Sequence, residues 1–349
     1  MQKNNKNAGL YPGFSKFTRF CAEHSFILIF IVIFIIYMIS SSGLTWNGGM
    51  NILRHSGVIG IAALGMGLVI ITGDIDLSIG SALAFVGGYS VIVFNITNSI
   101  FLTLLFSLVF GAFCGLINGI LVGKAKMPPF IVTLATMLIY RSLAQYTCKV
   151  ISSELSGGSN SLYKMSKELS QYQAFYDFGN GKIFTVPVVG IFLILLTLLV
   201  VYITNCTKYG KSLYALGSNE NAARLAGVRV EWMRVSVYAL TGIFVGIGAF
   251  LWTAMNASVD PATTGNSYEM YAIAAVVLGG ISMSGGRGKC LGILFGAMSY
   301  TVIDKIIVSL KMDSLINDAI KGVILIVAIL VQIMGPQIKE KVKTAIRRQ

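Results

Sequence analysis

The chain has 349 residues, 55% of them hydrophobic and only 12% charged, with a mean hydropathy of +0.76. Charge this sparse cannot cover a water-soluble surface, so the composition excludes an ordinary soluble protein and describes a polytopic membrane protein. The net charge of +13 is clustered, and no basic run carries the interleaved aromatics of a nucleic-acid groove.

In chain order, residues 1–24 form a basic tail with Lys3, Lys6, Lys16 and Arg19. An apolar run follows from Phe26 to Ile39. No clean small-x-small cleavage site follows it, so it reads as an uncleaved first transmembrane helix. A bilayer core takes about 20 residues per helix. On that measure the sequence predicts ten spans: 25–44, 55–72, 77–95, 100–122, 129–147, 184–204, 236–255, 269–284, 289–308 and 316–335. The fold class expected is all-α, a compact bundle of about ten transmembrane helices.

Lys and Arg set the topology. Lys124 and Lys126, the run from Lys208 to Arg234, Arg287 and Lys289, and Lys339 to Arg348 all fall on one side if both termini are cytoplasmic. Residues 25–335 then form a single transmembrane domain. It has a polar external loop at 148–183, a basic cytoplasmic segment at 205–235 and a basic cytoplasmic tail at 336–349.

Small residues recur every four positions: Gly111, Gly115, Gly119 and Gly123; Gly80, Ala84 and Gly88; Gly242 and Gly246; Gly288, Gly292 and Gly296. Each row offers a face for close helix approach, as static packing or as a sliding surface. A faint repeat places Ile61-Ala62-Ala63, Gly67, Gly73 and Gly80 at a constant offset from Ile273-Ala274-Ala275, Gly279, Gly285 and Gly292.

The polar residues inside this apolar frame are the candidates for function. Gly73-Asp74-Ile75-Asp76-Leu77-Ser78 joins two apolar runs. Carboxylates at a membrane boundary are costly, so Asp74, Asp76 and Ser78 mark either a working gate or a helix cap. A proton relay would need more buried ionisable groups; Glu269 and Asp304 lie near span ends, His24 lies outside the spans and His55 stands at the very edge of one. Asn118, Thr133, Thr136 and Asn256 are polar residues that either line a pathway or bond helix to helix.

The second motif runs through Gly217, Ser218, Asn219, Glu220, Ala222, Ala223 and Gly227. Ser218 or Asn219 caps a short helix to about Leu225, and Gly227 ends it. Its alanine face suits either docking into another protein or lying at the membrane surface. Gly210-Lys211-Ser212 lacks the glycine of a phosphate loop, because position 205 is Asn. The five cysteines form no metal or disulfide spacing.

Five blocks occur together and in order: Gly73–Ser81, Leu116–Lys124, Pro129–Thr136, Ala215–Val228 and Ala272–Gly288. With them the chain, from about Asn47 to Val331, resembles the permease subunits of ribose- and galactose-type ABC importers, in the branched-chain amino acid/ribose permease superfamily. The resemblance implies a bacterial inner-membrane protein that is not itself an enzyme and binds no cofactor. It implies a second permease copy, a separate ATPase that uses ATP and Mg, and an extracytoplasmic sugar-binding protein. It assigns 217–227 to ATPase coupling. Where the family commonly has glycine, this chain has Asp74, and replacing Asp74 with glycine is expected to leave transport intact. Importers of nucleosides, ion-coupled carriers and non-transporting interaction proteins are the competing classes.

Overall fold

The computed structural model describes residues 25–40, 45–158 and 160–310, with isolated positions between 316 and 330. The predicted tails at 1–24 and 336–349 and part of the predicted span 316–335 lie outside the described residues.

The chain folds as helices with almost no sheet. The first helices are α1 (Ser25–Ser40), α2 (Trp46–Ile71), α3 (Ile79–Thr97), α4 (Ile100–Gly123) and α5 (Pro129–Val150). An insertion follows, with α6 (Ser153–Ser156), β1 (Tyr163–Lys164), α7 (Tyr172–Asn180), β2 (Lys182–Ile183) and β3 (Val186–Pro187). Then come α8 (Val188–Cys206), α9 (Lys208–Ser218), α10 (Glu220–Leu225) and α11 (Val230–Asn256). The series closes with β4 (Ser258–Val259), α12 (Tyr268–Leu278) and α13 (Leu291–Ser309).

Nine predicted spans each coincide with a helix among the described residues. Six of these, α2, α3, α4, α8, α11 and α13, are long and apolar enough to cross a membrane. The apolar parts of α1 and α12 are shorter. Helix α5 has 22 residues but carries Arg141 and Lys149. Three boundaries move. Helix α12 ends at Leu278, six residues before the predicted end of its span. Helix α2 starts at Trp46, where Thr45 accepts a hydrogen bond from the Gly48 amide at 3.1 Å. Helix α11 starts at Val230, six residues before the predicted span, and so carries Glu231 and Arg234 on its first turns.

Close helix approach at glycine organises the bundle. Helix α4 lies along α11 with almost no side chain between them. A β-carbon at Gly115 would sit 2.1 Å from the Tyr238 carbonyl oxygen, and one at Gly242 would sit 2.1 Å from that of Gly111. The same holds for α12 and α13, where a β-carbon at Gly296 would meet the Ala275 carbonyl at 1.9 Å. In the α3 row, by contrast, Gly80 makes room for the Gly265 carbonyl and Gly88 for the Tyr163 ring. Helix α2 runs through the middle, and nearly all its residues from Ser56 to Ile71 are buried.

The sequence repeat has a structural counterpart. Helices α3 and α13 each have 19 residues and begin at corresponding positions of the repeat, Ile79 and Leu291. The two breaks before them touch: the Gly286 amide donates to the Ile71 carbonyl at 2.9 Å.

Segment 148–183, read as a polar loop, is a folded cap. Strand β1 pairs antiparallel with β4, Tyr163 opposite Val259. Tyr163 is fully buried and its hydroxyl donates to the Ala144 carbonyl at 2.7 Å. Phe175 is also fully buried, with ring centroids 5.2 Å from Phe94 and 4.9 Å from Phe250. Asn95 clamps the segment, donating to the carbonyls of Leu155 and Lys164 and accepting from the Ser166 amide.

The backbone contact at Gly115 leaves no slack. Gly115→Val should lower the melting temperature of the purified protein, in line with the roughly 1–3 kcal/mol typical of overpacking. Gly49→Ala, at a position with nothing within 4 Å, should leave it unchanged in the same thermal assay.

Candidate functional site

The α2–α3 break holds most of the polar residues singled out in the sequence. Helix α2 ends with Gly73 at φ +88°, a left-handed conformation that glycine adopts without strain. The chain then passes Asp74 and Asp76 in neither helix nor strand and re-enters helix at Ile79.

The two aspartates have different surroundings. Asp76 is 2% exposed. Its Oδ1 accepts from the Ser78 amide at 2.9 Å and the Ser78 hydroxyl at 2.6 Å. Asn118 on α4 donates to Ser78 Oγ at 2.8 Å, so the chain Asp76–Ser78–Asn118 ties the break to a neighbouring helix. Asp76 therefore closes a local turn just ahead of α3. Ser78 holds the N-cap position without a side-chain cap bond. The Asn118 Oδ1 atom is buried and has no hydrogen-bond partner among the described residues.

Asp74 is 6% exposed and forms an ion pair with Arg234 on α11, Oδ2 to Nε, at 3.1 Å. Burial pushes the Asp74 carboxyl above the ordinary carboxylate range, and the Arg234 guanidinium pulls it back down. Burial likewise pushes Asp76 up, against the hydrogen bonds from Ser78.

Thr133 and Thr136 on α5 are buried, and their hydroxyls bond mainly to their own helix: Thr133 to Pro129 at 2.9 Å, Thr136 to Val132 at 3.1 Å. Thr133 also reaches the Ile75 carbonyl at 3.4 Å, so it belongs to the break, with Thr136 one turn further on. Asn256 stands apart. It is exposed at the end of α11 and lines an open cleft of about 690 Å³ with Lys164, Lys167, Tyr172 and Tyr176 of the folded cap.

The second candidate segment packs directly beneath the first. Helix α9 is amphipathic, burying Gly210, Leu213 and Leu216, and its Tyr214 hydroxyl donates to the Gly288 carbonyl at 2.8 Å. At its end a β-carbon on Gly217 would lie 1.7 Å from the Ile71 carbonyl, so only glycine fits there. Ser218 lies against Gly286. Asn219 caps α10, accepting from the Ala222 amide at 3.0 Å, and Gly227 follows at φ +84°.

The alanine face expected to dock is only partly outward. Ala223 is 2% exposed and packs inward, while Ala222 and Ala226 are exposed. The projecting apolar residue is Leu225, 90% exposed, at the end of the short helix and off its alanine face. Glu220 bonds Arg234 at 3.0 Å and Arg224 at 3.3 Å, and Arg224 bonds Glu231 at 2.6 Å. Together with Lys126 and Pro128 these four charged residues line a cavity of about 290 Å³.

Of the remaining ionisable groups, His55 lies within α2 but is exposed. Lys321 is largely buried and pairs with Asp304 at 2.7 Å. No group of three or more metal-ligating side chains occurs among the described residues.

The family model described as branched-chain amino acid transport system/permease component matches residues 49–329. The chain belongs to this family. It is 34% identical over 310 residues to the ribose import permease protein of Haemophilus influenzae, covering 88% of this chain and 92% of that protein. Identity to the Bacillus subtilis ribose import permease is 34%, covering 87% and 90%. Identity to the fructose import permease of Bifidobacterium longum is 32%, covering 88% and 85%. No solved structure matches. With six helices among the described residues long and apolar enough to cross a membrane, this member of the permease family is a multi-pass protein of the bacterial inner membrane. A permease component works within a transport system rather than alone.

The Asn219 cap offers a local test. Asn219→Ala should cost about 1 kcal/mol of helix stability. Hydrogen exchange should then speed up over 220–226 and stay unchanged in α11.

Proposed function

We propose that this chain is the membrane-spanning subunit of an ATP-binding cassette importer for a monosaccharide. The observation that carries the proposal is the near full-length similarity to two ribose import permeases and a fructose import permease. Ribose, galactose and fructose are neutral and rich in hydroxyls, so a path walled by hydroxyls and amides suits them without a charge partner. The unspent Asn118 Oδ1 acceptor supports placing Asn118 on that path, near Ser78, Asp76 and Thr133.

In this reading the bundle has ten transmembrane helices with both termini cytoplasmic, formed by residues 25–335. Residues 148–183 are external and 205–235 cytoplasmic. Two copies of the chain form the pathway. A binding protein delivers the sugar from outside, and a separate ATPase takes the ATP and Mg. Residues Gly217, Ser218, Asn219, Glu220, Ala222, Ala223 and Gly227 build the docking elbow, and Leu225 is its contact residue. Closure of the ATPase dimer moves α10, and a rigid-body shift of the bundle opens one side while closing the other.

Reconstituted in proteoliposomes with its partner ATPase and binding protein, the chain should take up ribose, galactose or fructose only with ATP. Uptake driven by an ion gradient alone would overturn the importer assignment, and uptake of a nucleoside instead would redirect the substrate. Leu225→Asp should abolish co-purification of the ATPase while leaving the melting temperature unchanged. Normal co-purification would remove Leu225 from the interface.

A further inference from the structure

The ion pairs at the α10 end are arranged in series. Asp74, Arg234, Glu220, Arg224 and Glu231 alternate in sign, each bonded to the next. Two of these bonds, Glu220–Arg234 and Arg224–Glu231, cross-tie α10 to the first turns of α11. Helix α10 and the start of α11 thus form one lever. The remaining bond, Arg234 to Asp74, joins the lever to the α2–α3 break.

The members differ in burial, and that difference separates a link from a decoration. The Arg224 and Glu220 side chains are 48% and 39% exposed, where ion pairs contribute little. The Asp74 side chain is 5% exposed. Its charge has lost its water, and Arg234 is its compensating partner. Separating the two would leave an uncompensated buried charge, which is strongly destabilising, so the pair resists being pulled apart. One planar guanidinium serves both carboxylates, Nε to Asp74 and Nη2 to Glu220, a geometry that a lysine ammonium does not reproduce.

The break has a fixed side as well. The Gly217 backbone is seated against the Ile71 carbonyl, and Gly286 bonds the same oxygen. Beyond Asp74, Asp76 and Ser78 hold Asn118 on α4. A displacement at Asp74 therefore passes between a seat at Ile71 and a tie to α4.

We propose that Arg234 is a positioning residue that transmits movement of α10 to the α2–α3 break through Asp74. The proposal rests on the importer assignment above. It reverses the expectation that glycine at position 74 is harmless. The aspartate is the end of the chain of charges through which the docking elbow grips the gate.

The test uses the full complex of two permease copies, ATPase and binding protein in proteoliposomes, supplied with the sugar it takes up. Sugar moved and ATP hydrolysed are measured together. Asp74→Asn and Arg234→Gln should each lower the sugar moved per ATP by about tenfold, within the range of typical coupling energies. Arg234→Lys should recover only part of the ratio. The double variant Asp74→Asn/Arg234→Gln removes both charges and leaves no buried carboxylate uncompensated. It should recover the melting temperature but not the ratio. An unchanged ratio in Asp74→Asn, or a ratio restored in the double variant, overturns the relay while wild-type uptake stands. Absence of ATP-dependent uptake in the wild-type complex overturns the importer assignment and the relay with it.

Discussion

A bilayer leaves no free backbone hydrogen bond unpunished, yet this bundle interrupts two helices where they touch. The contact between the Gly286 amide and the Ile71 carbonyl makes this possible. Each break supplies a partner for the other, and the Gly217 backbone covers the junction from below. Everything else near the α10 end is arranged around this point. Asp76 closes the turn that restarts α3, Asp74 reaches across to α11, and α9 is seated where the two breaks meet.

The tolerance at that junction is set by the rest of the bundle. Helices α4 and α11 meet backbone to backbone along a glycine row, which leaves no room for a side chain between them at those positions. Arg234 stands on α11 and Asn118 on α4. The two polar ties of the break, Asp74 to α11 and Ser78 to α4, therefore end on the two helices of this closely packed pair.

Much of this was legible in the sequence. Long apolar runs located the helices, and the small-residue rows of α4 and α13 marked real backbone contacts. Asn219 and Gly227 bounded α10 because capping is local chemistry. Helix α12 stops at Leu278 rather than 284, since Gly279 and Gly280 begin the second break earlier than hydropathy suggests. The folded cap was hidden because its anchors, Tyr163 and Phe175, are single aromatics whose partners lie far away in sequence. The ion-pair series was hidden for the same reason: Asp74 and Arg234 are 160 positions apart. Thr133 and Thr136 read either as pathway hydroxyls or as helix-to-helix bonds, and sequence cannot show that each bonds mainly to the carbonyl four residues back in its own helix.

The Tyr163 plug at the opposite end has its own consequence. One ring fills the space left by Gly88 on α3, bonds the Ala144 carbonyl on α5 and, through its strand, pairs beside the end of α11. A single aromatic thus stitches three separate helices to the folded cap. Shortening that one side chain would open a void against α3 and free a carbonyl on α5 at the same time, so Tyr163 acts as a keystone rather than as one contact among many.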